Sequence, residues 1–145
     1  MFQQAVVSGN LNVLDILNSG KYRSFIERDH GSRFSFQLLV AIENKKYSVL
    51  RFLLAKQADP LKESSIFSNP DYHFNVTEKI KDYYMENWGD ALQFAVICGD
   101  QFAISILKNA GVDVKKYLGA PFQGHLMHFA VLSGDYTTIA TVKSW

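Results

Sequence analysis

Apolar and polar positions along this chain follow a pattern that recurs four times. A short apolar run ends in alanine. Four residues later comes a glycine or a lysine, and then a second apolar run. The first segments are Ala5-Val-Val-Ser-Gly9-Asn10, Ala41-Ile-Glu-Asn-Lys45-Lys46, Ala95-Val-Ile-Cys-Gly99-Asp100 and Ala130-Val-Leu-Ser-Gly134-Asp135. The second runs are Val13-Leu14-x-Ile16-Leu17, Val49-Leu50-x-Phe52-Leu53-Leu54, Ala103-Ile104-x-Ile106-Leu107 and Thr138-Ile139-x-Thr141-Val142. The alanines are spaced by 36, 54 and 35 residues, so an insertion separates the second unit from the third. An apolar run ending in alanine suits a helix packed close to its neighbours, because alanine is small and a good helix former. Gly9, Gly99 and Gly134 fall where a chain leaving a helix takes positive φ and turns sharply. The second run places apolar residues on adjacent and i+3 positions, a wide stripe that must be buried. Neither helix buries that stripe alone, whereas stacked units do.

The best-formed unit runs from Asp90-Ala-Leu-Gln-Phe-Ala95 through Gly99-Asp100 and Ile104-Ser-Ile-Leu107 to Ala110-Gly111-Val-Asp113. It resembles the ankyrin repeat, a finger-like turn and two antiparallel helices over about 33 residues. The second unit ends in the same way, with Ala58-Asp59 after Gln57, and His128 of the fourth unit falls on the family's histidine position. The resemblance covers residues 1–60 and 89–145 and departs from the family in places. The Thr and Pro of the T-P-L-H motif are absent from every unit, and Lys45 stands where the turn glycine belongs. The first unit begins inside its first helix at Phe2, and the fourth is expected to end inside its second helix at Trp145. Gln3, Gln4, Thr137, Thr141 and Ser144 would lighten the apolar load of the two open ends. The expected fold is therefore all-α: a single ankyrin-like α-solenoid of helix–turn–helix repeats with finger-like turns and one inserted helix. Its units span about 1–28, 29–60, 89–118 and 119–145, and the insertion spans 61–88.

Within the insertion, Ser64, Ser65, Ser68, Asn69 and Pro70 read as loop. Asn75 followed by Glu78 reads as a helix start, and Val76, Ile80, Tyr83, Tyr84 and Trp88 follow at helical spacing. The expected helix covers 76–87. Phe67, Tyr72, Phe74, Tyr83, Tyr84 and Trp88 bring six of the chain's 20 aromatic rings into this segment. Two readings stand side by side. The rings pack the insertion onto the repeats, or some of them, namely Tyr72, Tyr83 and Trp88, anchor a partner.

Charge sharpens this division. The chain has 145 residues and a formal charge of +1, yet residues 1–60 sum to +3, residues 61–90 to −3 and residues 91–145 to +1. The acidic insertion is expected to dock near the first two, basic units. Near-neutral total charge argues against nucleic-acid binding. No apolar run reaches the ~20 residues that span a bilayer, so no membrane insertion is expected. A single cysteine and no visible secretory signal point to a cytoplasmic setting, or to a host cell's cytoplasm if the protein is delivered there.

Catalytic and ligand chemistry is sparse. His125-x-x-His128 has no second cluster of ligating residues at metal-site spacing, so no metal is expected. Cys98 reads as a structural thiol. Gly119 to Gly124 lacks the lysine of a phosphate loop and reads as the finger of the fourth unit. Asp100, Asp113 and Asp135 stand at repeat-defined turns, and Lys45-Lys46 and Lys115-Lys116 read as solvated turns. No cofactor and no catalysis are expected.

The ankyrin resemblance implies binding of a partner protein, not identified by the sequence, across the fingers and the exposed first-helix face, the concave side. The corresponding positions are Val7 and Ser8, Glu43 and Asn44, Ile97 and Cys98, and Leu132 and Ser133. Finger residues His30, Arg33, Pro121 and Phe122 join them, with Arg28 adding to a basic rim. Two alternatives of other kinds are the targeting part of a larger enzyme, motivated by an end inside a helix, and a host-directed bacterial or viral effector.

Overall fold

The computed structural model describes residues 2–17, 35–56, 58–117 and 126–145. Within these the chain is all-helical, with α1 (Phe2–Ser8), α2 (Leu11–Leu17), α3 (Ser35–Glu43), α4 (Tyr47–Ala55), α5 (Glu78–Glu86), α6 (Ala91–Ile97), α7 (Gln101–Asn109), α8 (Leu126–Ser133) and α9 (Tyr136–Lys143). A 3-10 turn spans Val114–Tyr117. The helices pair as the alternating runs require: α1 with α2, α3 with α4, α6 with α7 and α8 with α9. The first helices of the pairs form a row, because α1 packs on α3, α3 on α6 and α6 on α8. In the second-helix row, α4 packs on α7.

The two rows differ in composition because they differ in burial. Helix α3 is buried from Ser35 to Ile42 and α6 along its whole length. A helix surrounded on all sides is apolar all round. Second helices are amphipathic, and α7 buries Ala103, Ile104, Ile106 and Leu107 while exposing Phe102, Ser105 and Lys108. The turns between paired helices follow the glycine register. Gly9, Gly99 and Gly134 have φ of 73°, 68° and 68°. Lys45 takes the same left-handed conformation at 55° despite its Cβ, which costs a non-glycine residue roughly 1–2 kcal/mol.

The aspartates at the turns are helix caps. Asp100 accepts the N–H of Ala103 at 3.1 Å, and Asp135 accepts that of Thr138 at 3.0 Å. Asp113 accepts the N–H of Lys115 at 2.9 Å. Asp90 and Gln93 form a reciprocal capping box at the start of α6, with bonds of 3.0 and 2.9 Å. The buried Tyr117 hydroxyl, brought in by the 3-10 turn, donates to the other oxygen of Asp90.

Three expectations about local structure are corrected. The inserted helix runs from Glu78 to Glu86, and Thr77, not Asn75, precedes it. The Asn75 N–H is engaged by Glu43 at 2.7 Å, which holds the chain extended two residues longer than the spacing of apolar residues implied. Helix α9 ends at Lys143 with Ser144 as its C-cap, so Trp145 lies outside the helix, beneath the Lys108 ammonium at 4.6 Å. Thr141 is not a cap for an open end, since its hydroxyl donates to Gln101 of the preceding unit.

Candidate recognition surfaces

The insertion leaves and rejoins the repeats at one point. Ser64 and Gly89 exchange two backbone hydrogen bonds, of 2.8 and 2.9 Å, in an isolated bridge. Between them the chain crosses the first-helix row and lays its rings against it. Phe36 of α3 meets Tyr72 and Phe74 edge-on, with centroids 6.2 and 5.6 Å away. Phe74 also meets Phe94 of α6 at 5.7 Å, and Phe94 meets Tyr84 at 6.1 Å. Tyr84 touches Tyr83, which reaches Phe129 of α8 at 5.0 Å and His128 at 6.1 Å. The result is one continuous chain of rings from the second unit to the fourth. Each edge contact is worth ~0.5–1.5 kcal/mol beyond its buried area.

Polar groups lock the same junction. The Asn44 amide donates to the Tyr72 hydroxyl at 2.7 Å, and that hydroxyl donates to Glu43 Oε2 at 3.2 Å. The other oxygen of Glu43 accepts the Asn75 N–H. Burial raises the Tyr72 hydroxyl above its ordinary value; the Asn44 bond opposes this and Glu43 adds to it.

This geometry redistributes the residues expected to bind a partner. Tyr72 and Tyr83 are partly buried and pack on the core, so they hold the insertion in place. Trp88 stays 59% exposed. Glu43 and Asn44 are spent on the insertion. Ile97 is buried at 1% exposure, because α6 is packed by α3, α7 and α8 while the insertion's rings lie on its Phe94. It is therefore not part of an open face. Ser8 and Ser133 turn their hydroxyls to the carbonyls of Ala5 and Ala130, satisfying their own helix ends, while Val7 and Leu132 are partly buried against the core. His30, Arg33, Phe122, Arg28 and Pro121 lie outside the described residues, as do His125 and the stretch 119–124. The insertion does not sit on the first two units alone, as its charge implied. It contacts the second, third and fourth, through rings and neutral donors, because ring burial outweighs charge at this junction.

A cleft of about 400 Å³ remains between α3, α6 and the insertion, with Ile42, Val76 and Ile80 among its apolar walls and Cys98 beside Asp100. Burial first, then the charges of Asp100 and Glu43, pushes the Cys98 thiol up to about 12. It stays protonated at neutral pH, and a thiol reacts as a nucleophile only as the thiolate.

The opposite, second-helix row carries a feature that the sequence reading missed. An open groove of about 450 Å³ runs between α4 and α7, floored by Leu54 and Ile106 and flanked by Arg51 and Phe102. Phe102 is 71% exposed. The other three units carry Asn12, Ser48 and Thr137 at this register, so the exposed ring is peculiar to the third unit. That mismatch was the available signal. Helices α4, α7 and α9 hold Arg51, Lys108 and Lys143 and no aspartate or glutamate.

Among the described residues no helix is long and apolar enough to cross a membrane. Comparison with protein-family models, with curated proteins and with solved structures finds no match to this chain.

Proposed function

We propose that this chain is a non-catalytic protein-recognition domain of ankyrin-type units, and that its partner lies in the groove between α4 and α7. The ankyrin assignment is supported by the paired helices, by the left-handed turn residues at Gly9, Lys45, Gly99 and Gly134, and by the aspartate caps that follow Gly99 and Gly134. The observation that carries the recognition reading is Phe102, a ring left 71% exposed beside an apolar groove at a position that is polar in every other unit. Exposed aromatic and arginine side chains flanking an apolar slot are the composition of binding hot spots. The first-helix row is unavailable in the second and third units, where the insertion already lies. An open groove between adjacent helices accommodates a polypeptide segment, whereas metabolites are held in enclosing cavities. Helices α4 and α7, which flank the groove and carry Arg51 and Lys108 but no aspartate or glutamate, favour a partner segment that is acidic around an apolar anchor.

The test compares partners captured by the wild type with those captured by Phe102→Ser and Arg51→Glu. Both positions are exposed, so stability should change by no more than about 0.5 kcal/mol. Loss of ~2 kcal/mol of binding at Phe102, about 30-fold in Kd, is expected. A partner retained at full affinity by both variants contradicts the reading.

A further inference from the structure

The groove between α4 and α7 constrains the form of what lies in it. Its walls follow helical spacing. On α4 they include Arg51, Leu54 and Ala55, and on α7 Phe102, Ser105, Ile106 and Asn109. Steps of three and four residues form the ridges between which the side chains of a further helix fit. Ala55 and Ser105 are small and exposed, so another backbone can come close to them. From Phe102 to Asn109 the groove runs about 10 Å, roughly two turns of a helix.

Hydrogen bonding separates a helical occupant from an extended one. Helix interiors spend their backbone groups on one another, and the Ile106 carbonyl accepts the Ala110 N–H at 3.0 Å. The floor of Leu54 and Ile106 therefore offers an incoming chain no strand edge to pair with. An extended segment would bury N–H and C=O groups against that floor without partners, at a cost comparable with the apolar contact it gains. A helical segment carries its backbone bonds with it.

Charge lies on one wall only. Arg51 is exposed on the α4 side. Lys108 of α7 is not in the walls and stands over the Trp145 ring at 4.6 Å. The α7 side presents the neutral Ser105 and Asn109. Phe102 is held in position before any partner arrives. Its ring meets Tyr47 at 5.6 Å, and the Tyr47 hydroxyl donates to both oxygens of Asp100, at 3.1 and 3.0 Å. A ring already fixed loses little freedom on binding.

We infer that the groove takes an amphipathic helix of a partner protein. Its apolar residues, at i, i+3 or i+4 and i+7, lie along the floor, and an aspartate or glutamate on one flank meets Arg51. The inference rests on the recognition reading of this groove and adds the form of the occupant and the place of its charge. Two turns are too short to hold a helix in isolation, so the segment folds as it docks and is sensitive to helix-breaking residues.

A phage-displayed library of random peptides of about 16 residues, twice the length of the groove, supplies the probe when panned on the wild-type protein. Enriched peptides are then synthesised and titrated by fluorescence anisotropy. The variants are Phe102→Ser, Arg51→Glu and Ser105→Leu, each at an exposed position and each checked for folding by circular dichroism. Peptides that lose binding with Phe102→Ser are expected to show the apolar spacing and the acidic flank. A proline in the middle of such a peptide should weaken binding about 100-fold. Ser105→Leu adds apolar area but blocks close approach, and should weaken binding about 10-fold. Arg51→Glu should also weaken it about 10-fold, and changing the peptide's acid to lysine should restore it. Peptides that depend on Phe102 but tolerate the proline, carry a basic flank, or bind Ser105→Leu unchanged or more tightly overturn the inference and leave the groove reading in place. A library that yields no peptide dependent on Phe102 overturns the groove reading and this inference with it.

Discussion

Shortening Phe74 to alanine asks whether the insertion belongs to the core. The ring is 8% exposed and lies against Phe36 at 5.6 Å, Phe94 at 5.7 Å and Tyr72 at 5.0 Å. Removing it opens a void between α3 and α6. Tyr72 cannot swing in to fill that void without giving up its bonds to Asn44 and Glu43. Truncating a buried phenylalanine costs ~3–5 kcal/mol, a large part of the ~5–15 kcal/mol that holds a domain together. At about 3–4 °C per kcal/mol for a chain of this size, Tm should fall by roughly 10–20 °C. Urea denaturation followed by circular dichroism and by tryptophan fluorescence reads the loss directly, and coincident transitions establish two-state behaviour. Trp88→Ala, at 59% exposure, is the companion variant and should cost no more than about 0.5 kcal/mol. A Phe74→Ala loss below about 1 kcal/mol would refute the reasoning, because that is what an undocked side chain costs.

Three further outcomes follow from individual residues. The Tyr84 hydroxyl is buried with no hydrogen-bond partner among the described residues, so Tyr84→Phe should stabilise the fold by about 1 kcal/mol, seen as a higher urea midpoint at unchanged m. Tyr47 is pushed up to about 12 by burial and then by Asp100, and Tyr83 to about 12 by burial and then by Glu63 and Asp90. Since the unfolded chain releases these protons near pH 10, the stability they contribute is complete below pH 10 and is lost as pH rises toward 12; Tyr47→Phe should flatten part of that fall in midpoint against pH. Lys45→Gly relieves the left-handed strain at φ 55° and should raise stability by a few tenths of a kcal/mol after the extra unfolded-state entropy of glycine; a lowered midpoint would mean that the lysine side chain compensates for the strain.

Much of the fold was legible because repetition makes local signals redundant. The alanine and glycine register marked every paired helix among the described residues, and Asp100 and Asp135 fell at turns because a helix start needs an acceptor for its free N–H groups. The inserted helix was legible from Ile80, Tyr83 and Tyr84. Its start was not, because Asn75 is held by Glu43, thirty-two positions away. Ile97 shows the main failure. Its place late in a first helix put it among the expected partner-binding positions, whereas here α6 is enclosed by its neighbours. Periodicity reports that a side chain is apolar, not which neighbour covers it. The 3-10 turn that carries Tyr117 to Asp90 had no periodic signal at all, and Phe102 was masked by lying inside an otherwise ordinary apolar run.

The insertion is part of the repeat core and not an appendage, with Phe74, Ile80 and Tyr84 buried in it. Native-state amide hydrogen exchange measures this residue by residue. The amides of α5 beyond its first turn should exchange with the same opening free energy as those of α3 and α6, and Asn75, bonded to Glu43, should be protected as well. Exchange of α5 and Asn75 at a far lower free energy, with α3 and α6 still protected, would contradict the account and return the first-helix row to the set of open binding faces.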